Sequence, residues 1–214
     1  MSADIADTYH NTRFTADPRR RVLWRTLVDC VFQKQIPPGG VVLELGAGYG
    51  DFINNVKAGR RIAVDCWAGM PAHLDPGVEG LVTSITKLEG VADNSVDYVF
   101  SSNCFEHVTQ AELVECLAQL RRKMKPGARF EIVQPNFKYC AREYFDDYTH
   151  VAIYTERSLS DLLAANGFKI ERCVPRFLPL TIKTGAPVHP LLIKLYLASP
   201  FKPLGKQMLI SASR

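Results

Sequence analysis

The chain has 214 residues, enough for one domain with a sizeable core, and its hydrophobic (47%) and charged (22%) fractions are those of an ordinary soluble globular protein. A net charge of +4 is too mild to mark a nucleic-acid binder, no apolar run is long enough to span a bilayer, and the opening MSADIADTYHNTRF lacks the apolar segment of a signal peptide. The six cysteines are scattered with no C-x-x-C pair, which argues against a zinc knuckle or a disulfide framework and for a reducing, cytoplasmic setting.

In chain order, an N-terminal helical segment (1–36) carries a helix from about Arg19 to Gln33, with Val22, Leu23, Leu27, Val28 and Val31 on its apolar face and Pro37, Pro38, Gly39 and Gly40 ending it. Val41 to Leu45 is an apolar run suited to a strand covered on both faces, and the glycine-rich turn GAGYG follows at once. A short helix from Gly50 to Lys57 leads to a second strand, Arg61 to Asp65, and Gly80 to Ile85 makes a third. The fourth strand is Ser95 to Ser101. Thr109 caps an amphipathic helix to Lys123, with Glu112 as the other half of a capping box. Lys125, Pro126 and Gly127 break it ahead of the fifth strand, Ala128 to Gln134. A helix from Ser158 to Asn166, a sixth strand from Phe168 to Val174, and a seventh from Gln207 to Ser213 complete the alternation. The pattern predicts a single α/β domain over 1–214, built on a doubly wound sheet.

Glycines allow positive φ and let a ligand approach the backbone. The spacing here is E-x-G-x-G-x-G with Glu44 at the strand end, which lacks the third phosphate-apposed glycine of the dinucleotide fingerprint. Asp65, about twenty residues on at the second strand tip, is placed to accept ribose hydroxyls. VVLELGAGYGDF, RIAVD, DNSVDYVFSSNCFEHV and RRKMKPGARFEIVQPN together resemble the class I S-adenosylmethionine-dependent methyltransferases from Val41 onward, and are similar to bacterial members associated with polysaccharide and glycan biosynthesis. The resemblance implies a Rossmann-like, seven-stranded, mostly parallel sheet with an antiparallel last strand, and S-adenosylmethionine as cofactor. It implies cofactor contacts from Glu44, Gly46, Ala47, Gly48 and Phe52 at the first turn, and from Asp65 and Cys66 at the second strand tip. Ser84 and Ile85 would meet the adenine, and Ser102 and Asn103 would lie at the fourth strand tip. Tyr9, His10, Arg13 and Phe14 either fold over the cofactor, with Arg13 pairing its carboxylate, or fray.

Two insertions, 135–157 and 178–206, follow strand ends and are expected to cap a substrate, the first through Asn136, Tyr139, Tyr144, Tyr148 and Tyr154. The second holds a helix from Pro190 to Ala198 whose leucines suit a pocket or a dimer partner, so monomer and homodimer both stay open. From Lys169 to Arg214 eight Lys or Arg stand against Glu171 alone, a bias toward an anionic substrate, a peripheral membrane contact, or a solvated basic face. The expected reaction is O-methylation of a small-molecule or glycan acceptor by in-line transfer. His150, beside Asp146 and Asp147, is the expected base and His107 the second candidate. The Glu106-His107 pair resembles one in ubiquinone-pathway O-methyltransferases, some of which use a divalent ion, and Asn103 stands where that resemblance would add a further carboxylate, so no metal is expected. A nucleic-acid methyltransferase would share the fold, but SSNC replaces the Asn/Asp-Pro-Pro-aromatic tetrad of base-amino methylation, so no nucleic-acid partner is expected. A non-catalytic partner protein on the same fold is the other alternative.

Overall fold

The computed structural model describes residues 3–179 and 188–214, and for Ala3 and Asp4 the backbone alone. Its strands are β1 (Val41–Leu45), β2 (Arg60–Asp65), β3 (Val78–Val82), β4 (Val96–Ser102), β5 (Met124–Pro135), β6 (Lys169–Pro179) and β7 (Gly205–Ser213). They form one sheet in the order β3-β2-β1-β4-β5-β7-β6, parallel except for β7, which runs antiparallel to both neighbours. The helices are α1 (Ala3–Thr12), α2 (Pro18–Leu27), α3 (Gln110–Lys123), α4 (Phe137–Cys140), α5 (Glu156–Ala165) and α6 (Pro190–Ala198). This is the α/β, seven-stranded architecture the alternation predicts. No described helix is long and apolar enough to cross a membrane, and all six cysteines are free thiols.

Alternation along the strands builds two cores. Leu43 and Leu45 face one layer with α3 and α5, whereas Val42 faces the other with Trp24, Leu27, Phe32, Phe52 and Phe100. At the opposite end from the glycine turn, Asp97 accepts from the Val41 N–H (2.9 Å) and from Lys125 Nζ (2.7 Å), so one carboxylate ties β1, β4 and the start of β5.

Several boundaries differ from the sequence reading. Asp17 caps α2 and Pro18 opens it, and the helix does not run on to Gln33 as α-helix: it passes through a π turn (Val28–Phe32) and a 3₁₀ turn (Gln33–Gln35). No helix spans Gly50 to Lys57. Gly50 adopts φ +67° and the Ile53 N–H bonds to the Glu44 carboxylate, leaving a single 3₁₀ turn, Ile53–Asn55. The third strand lies two to three residues earlier than expected, because the Ser84 hydroxyl accepts from the Thr86 N–H and folds 84–86 into a local turn. α5 starts at Glu156 behind a Thr155 cap, β5 starts at Met124, and β6 runs on to Pro179. α1 was not foreseen, because its buried face is only Ala6, Tyr9 and His10, an i, i+3, i+4 set too small to register as periodic. Residues 180–187 of the expected second insertion lie outside the described residues.

Candidate active site

The tips of β1, β2 and β4 converge where an open α/β sheet places its ligand. Gly46 (φ +69°) and Gly48 (φ +50°) turn the chain beneath this point, and the N–H groups of Gly46 and Ala47 bond to the Val64 carbonyl of β2. A Cβ on Gly46 would lie 2.7 Å from Cys104 Sγ, so only glycine lets β1 and the β4 tip meet this closely. Asp65 accepts from the Gly48 N–H and the Trp67 N–H, both at 2.8 Å, which fixes its two oxygens, and the Cys66 N–H and thiol bond to the same carboxylate. Burial raises its pKa and these hydrogen bonds oppose the rise.

Other expected cofactor residues also make contacts within the scaffold. Glu44 is buried, and one carboxylate oxygen accepts from Ile53 N–H (3.0 Å), so it pins the turn after the glycines; burial pushes its pKa well up. The Phe52 ring stacks on Phe100 at 3.7 Å inside the core. Ile85 is buried behind the β3 end, Cys66 is half-buried beside Asp65, and the Ser84 hydroxyl is engaged with Thr86. Ser102 accepts from the Asn103 amide (3.1 Å), and Asn103 takes φ +48° with its own N–H on the Val133 carbonyl, which bends the chain out of β4.

α1 lies across this cleft. His10 stacks on Trp67 at 3.8 Å and, with Phe14, comes within 3.4 Å of where a Cβ on Gly48 would be. Arg20 holds the linker down, with Nε on Asp51 (2.7 Å) and its guanidinium 4.0 Å over the Phe14 ring. Burial, then the nearby Arg20 charge, lowers the His10 pKa to about 4. Arg13 does not point into the glycine turn: its Nε lies 3.5 Å from Asp147 in the insertion after β5.

Beyond the β4 tip sits a second group. The Glu106 carbonyl accepts from the N–H groups of Val151 and Ala152 (2.8 and 3.2 Å), which draws the 135–157 insertion onto the 3₁₀ turn Phe105–His107. Asp147 accepts from the Thr149 hydroxyl at 2.5 Å, and that hydroxyl meets His107 Nδ1 at 2.9 Å. With its one hydrogen on the carboxylate, the hydroxyl accepts from Nδ1–H, so neutral His107 keeps its lone pair on Nε2. Tyr9 also bonds to Asp147, and burial, reinforced by that carboxylate, raises its pKa. Asp147 therefore orients His107 through Thr149 and does not hold His150 as expected, while Asp146 is exposed. His150 packs 4.9 Å from His107 and 4.4 Å from Tyr144, ring centre to ring centre, with its Nδ1 buried and unpartnered. Both carboxylate oxygens of Glu106 and the Tyr154 hydroxyl are buried and unpartnered too.

Burial sets the charge states here. It lowers His107, helped by His150, to about 4, lowers His150 against the pull of Asp147, and raises Glu106 to about 8. Near neutral pH the group holds two neutral imidazoles and a protonated carboxyl. Glu106, His107 and His150 each offer a ligand atom, all within 4.8 Å of one another, the one described set able to meet a divalent cation.

The remaining expected substrate contacts separate. Asn136 is fully buried and caps α4, giving its amide to Glu156 (2.8 Å) and the Pro175 carbonyl, so it is structural. Tyr148 is 63% exposed and Tyr139 lies against Arg176, away from the histidines. Tyr144 and Tyr154 belong to the Glu106 neighbourhood. α6 packs on the α2 layer through Ile193, Tyr196 and Leu197 rather than over the strand tips. Thr149 and Trp67 were not foreseen: an Asp-x-Thr self-bond was the readable signal for the first, and the second gave none.

A family of methyltransferase domains matches residues 17–172. The chain belongs to this methyltransferase domain family. A malonyl-[acyl-carrier protein] O-methyltransferase of Methylococcus capsulatus is 30% identical over 167 residues, 71% of this chain and 58% of that protein. A dimethylglycine N-methyltransferase of Parasynechococcus marenigrum is 30% identical over 119 residues, 47% of this chain and 39% of that protein. The methyltransferase domain thus spans less than two thirds of the length of these curated relatives. A SAM-dependent methyltransferase from Archaeoglobus fulgidus shares the fold, with a TM-score of 0.69 at 20% identity over 91% of this chain and 94% of that one. S-adenosylmethionine is the cofactor of the family, and the cleft suits it: a glycine cradle without a pyrophosphate nest, with the Asp65 carboxylate at the neighbouring strand tip.

Proposed function

We propose that the protein transfers a methyl group to an oxygen of a small-molecule or glycan acceptor held between the β4 tip and the 135–157 insertion, with a histidine taking the acceptor's proton. S-adenosylmethionine supplies the electrophilic methyl carbon; Gly46, Ala47 and Gly48 would lie under its methionine part and Asp65 would bind its ribose.

The observation that carries this reading is the cluster of buried, unpartnered polar atoms on Glu106, His150 and Tyr154. Such atoms are costly to leave unsatisfied and mark where a polar ligand completes the structure. Neutral imidazoles can accept a hydroxyl proton, and those of His107 and His150 stay neutral because burial lowers both pKa values. Asp147 and Thr149 orient His107, and His150, whose Nδ1 meets no protein group, remains the preferred base. Holding the acceptor in line removes much of the entropic barrier before any proton moves. Of the named relatives, one methylates an oxygen of a malonyl-[acyl-carrier protein] and the other the nitrogen of dimethylglycine, and the first supports an oxygen acceptor here.

Calorimetric titration with S-adenosylhomocysteine beside NADH, on wild type and His150→Ala, tests this. Binding of the first ligand alone, kept in the variant while turnover in an acceptor screen falls about a hundredfold, is expected for a lost base. Absence of binding would overturn the enzyme reading, and unchanged turnover would remove His150 from the mechanism.

A further inference from the structure

The last 43 residues, 172–214, hold seven Lys or Arg and no Asp or Glu. The fold gathers five of the chain's cations, Lys34, Arg172, Arg176, Lys194 and Lys202, around a groove of about 820 Å³ that Val31 and Phe177 also line, and among the described residues no carboxylate lines it. Arg176 Nε donates to the Gly205 carbonyl, and Lys202 Nζ donates to the carbonyls of Tyr196 and Leu197 at the end of α6, so these contacts fix the side chains without neutralising them.

α6 forms one wall. Its inner face, Ile193, Tyr196 and Leu197, packs on the core, while Leu191 (58%), Leu192 (46%) and Leu195 (59%) stand in solvent on the opposite stripe. Phe201 (80%) and Leu204 (64%) extend this apolar surface beyond the helix. A helix with leucines outward, cations on its flank and no acid among the described lining residues of the groove beside it has the composition of an interfacial element.

The geometry points to α6 and the adjoining basic groove as a surface that docks the protein peripherally on an anionic lipid bilayer, the leucines and Phe201 entering the acyl boundary and the five cations meeting headgroup phosphates. Charge complementarity selects this occupant. A second copy placed face to face would set five cations against five with no carboxylate between them, and like charges across an interface oppose association. A neutral apolar ligand would leave the cations unused.

The test is co-sedimentation of the full chain with vesicles of phosphatidylcholine alone and of phosphatidylcholine mixed with phosphatidylglycerol, at low and high salt, with light scattering in parallel. Arg172→Gln/Lys194→Gln and Leu191→Ser/Leu195→Ser alter exposed side chains, so both variants keep the fold. Binding to the mixed vesicles alone is expected. It should weaken about fivefold per neutralised cation, roughly 25-fold for the pair, and tenfold or more in the leucine variant. No binding to the mixed vesicles would overturn the proposal. So would binding that the leucine variant leaves unchanged, which is plain electrostatic adsorption, or a dimer that this variant converts to monomer.

Discussion

Glu106 is a buried acid whose protonation state the fold controls, and the Glu106→Gln variant makes that measurable. Its pKa is about 8 in the folded chain against an ordinary 4.5, with burial the largest cause. A raised carboxyl pKa means the folded state binds the proton more tightly than the unfolded chain. The stability this gives is fully present below about pH 4.5 and lost as pH rises through about 8. At about 1.4 kcal/mol per pKa unit the whole loss is about 5 kcal/mol. His10 and His107, both lowered to about 4, act with the opposite sign, adding stability as pH rises from there to 6.5, and mask part of the Glu106 effect in that range. Above pH 6.5 both are largely neutral folded or unfolded. Between pH 6.5 and 8 the gap in stability between wild type and Glu106→Gln should therefore widen by about 1.5 to 2 kcal/mol, with the variant gaining as pH rises. Urea unfolding of both proteins at the two pH values, with chelator present, measures the gap. A gap that does not change with pH would refute the assignment of a buried, protonated carboxyl at 106.

Asp65→Ala should weaken S-adenosylhomocysteine binding about ten- to a hundredfold in calorimetry, the cost of losing hydrogen bonds to a charged acceptor. Gly46→Ala should destabilise the fold by about 2 to 5 kcal/mol in urea unfolding, from its positive φ and the collision with Cys104. Adding Cys104→Gly should recover only the collision's share, and full recovery would show that φ at 46 carries no strain. Thr149→Val should leave cofactor affinity in place and lower turnover, because His107 loses the hydroxyl that orients it; equal turnover would show that the relay is idle. Dialysis against a chelator should leave turnover unchanged, and a loss restored by a divalent cation would place that ion on Glu106, His107 and His150.

The strands and the glycine turn were legible in the residues because apolar runs and glycine spacing are local signals, whereas the insertion of β7 between β5 and β6 leaves no local trace. The place of Asp65 at the end of β2 was legible for the same reason. The roles of Glu44, Phe52 and Asn136 were not. Each lies in a stretch that reads as ligand-facing, yet the pleat or the local turn directs its side chain into the scaffold, and one residue of register decides which way it points. The histidine group depended on long-range pairing: Glu106 and His107 come from the β4 turn and Asp147, Thr149 and His150 from a segment some forty residues later, joined by two backbone hydrogen bonds that no spacing rule announces. Helix α1 was missed because packing, not propensity, holds it.

That helix touches both halves of the cleft, with His10 over the glycine turn and Arg13, one turn on, beside Asp147. A ligand seated on Gly48 and Asp65 would meet His10, and Arg13 follows His10 by three residues. Occupancy of one half is then thermodynamically linked to affinity in the other, and the linkage is reciprocal: whatever factor the cofactor imposes on acceptor binding, the acceptor imposes on the cofactor. The ten residues of α1, with Arg13 just beyond them, thereby join the two half-sites within one short stretch of chain.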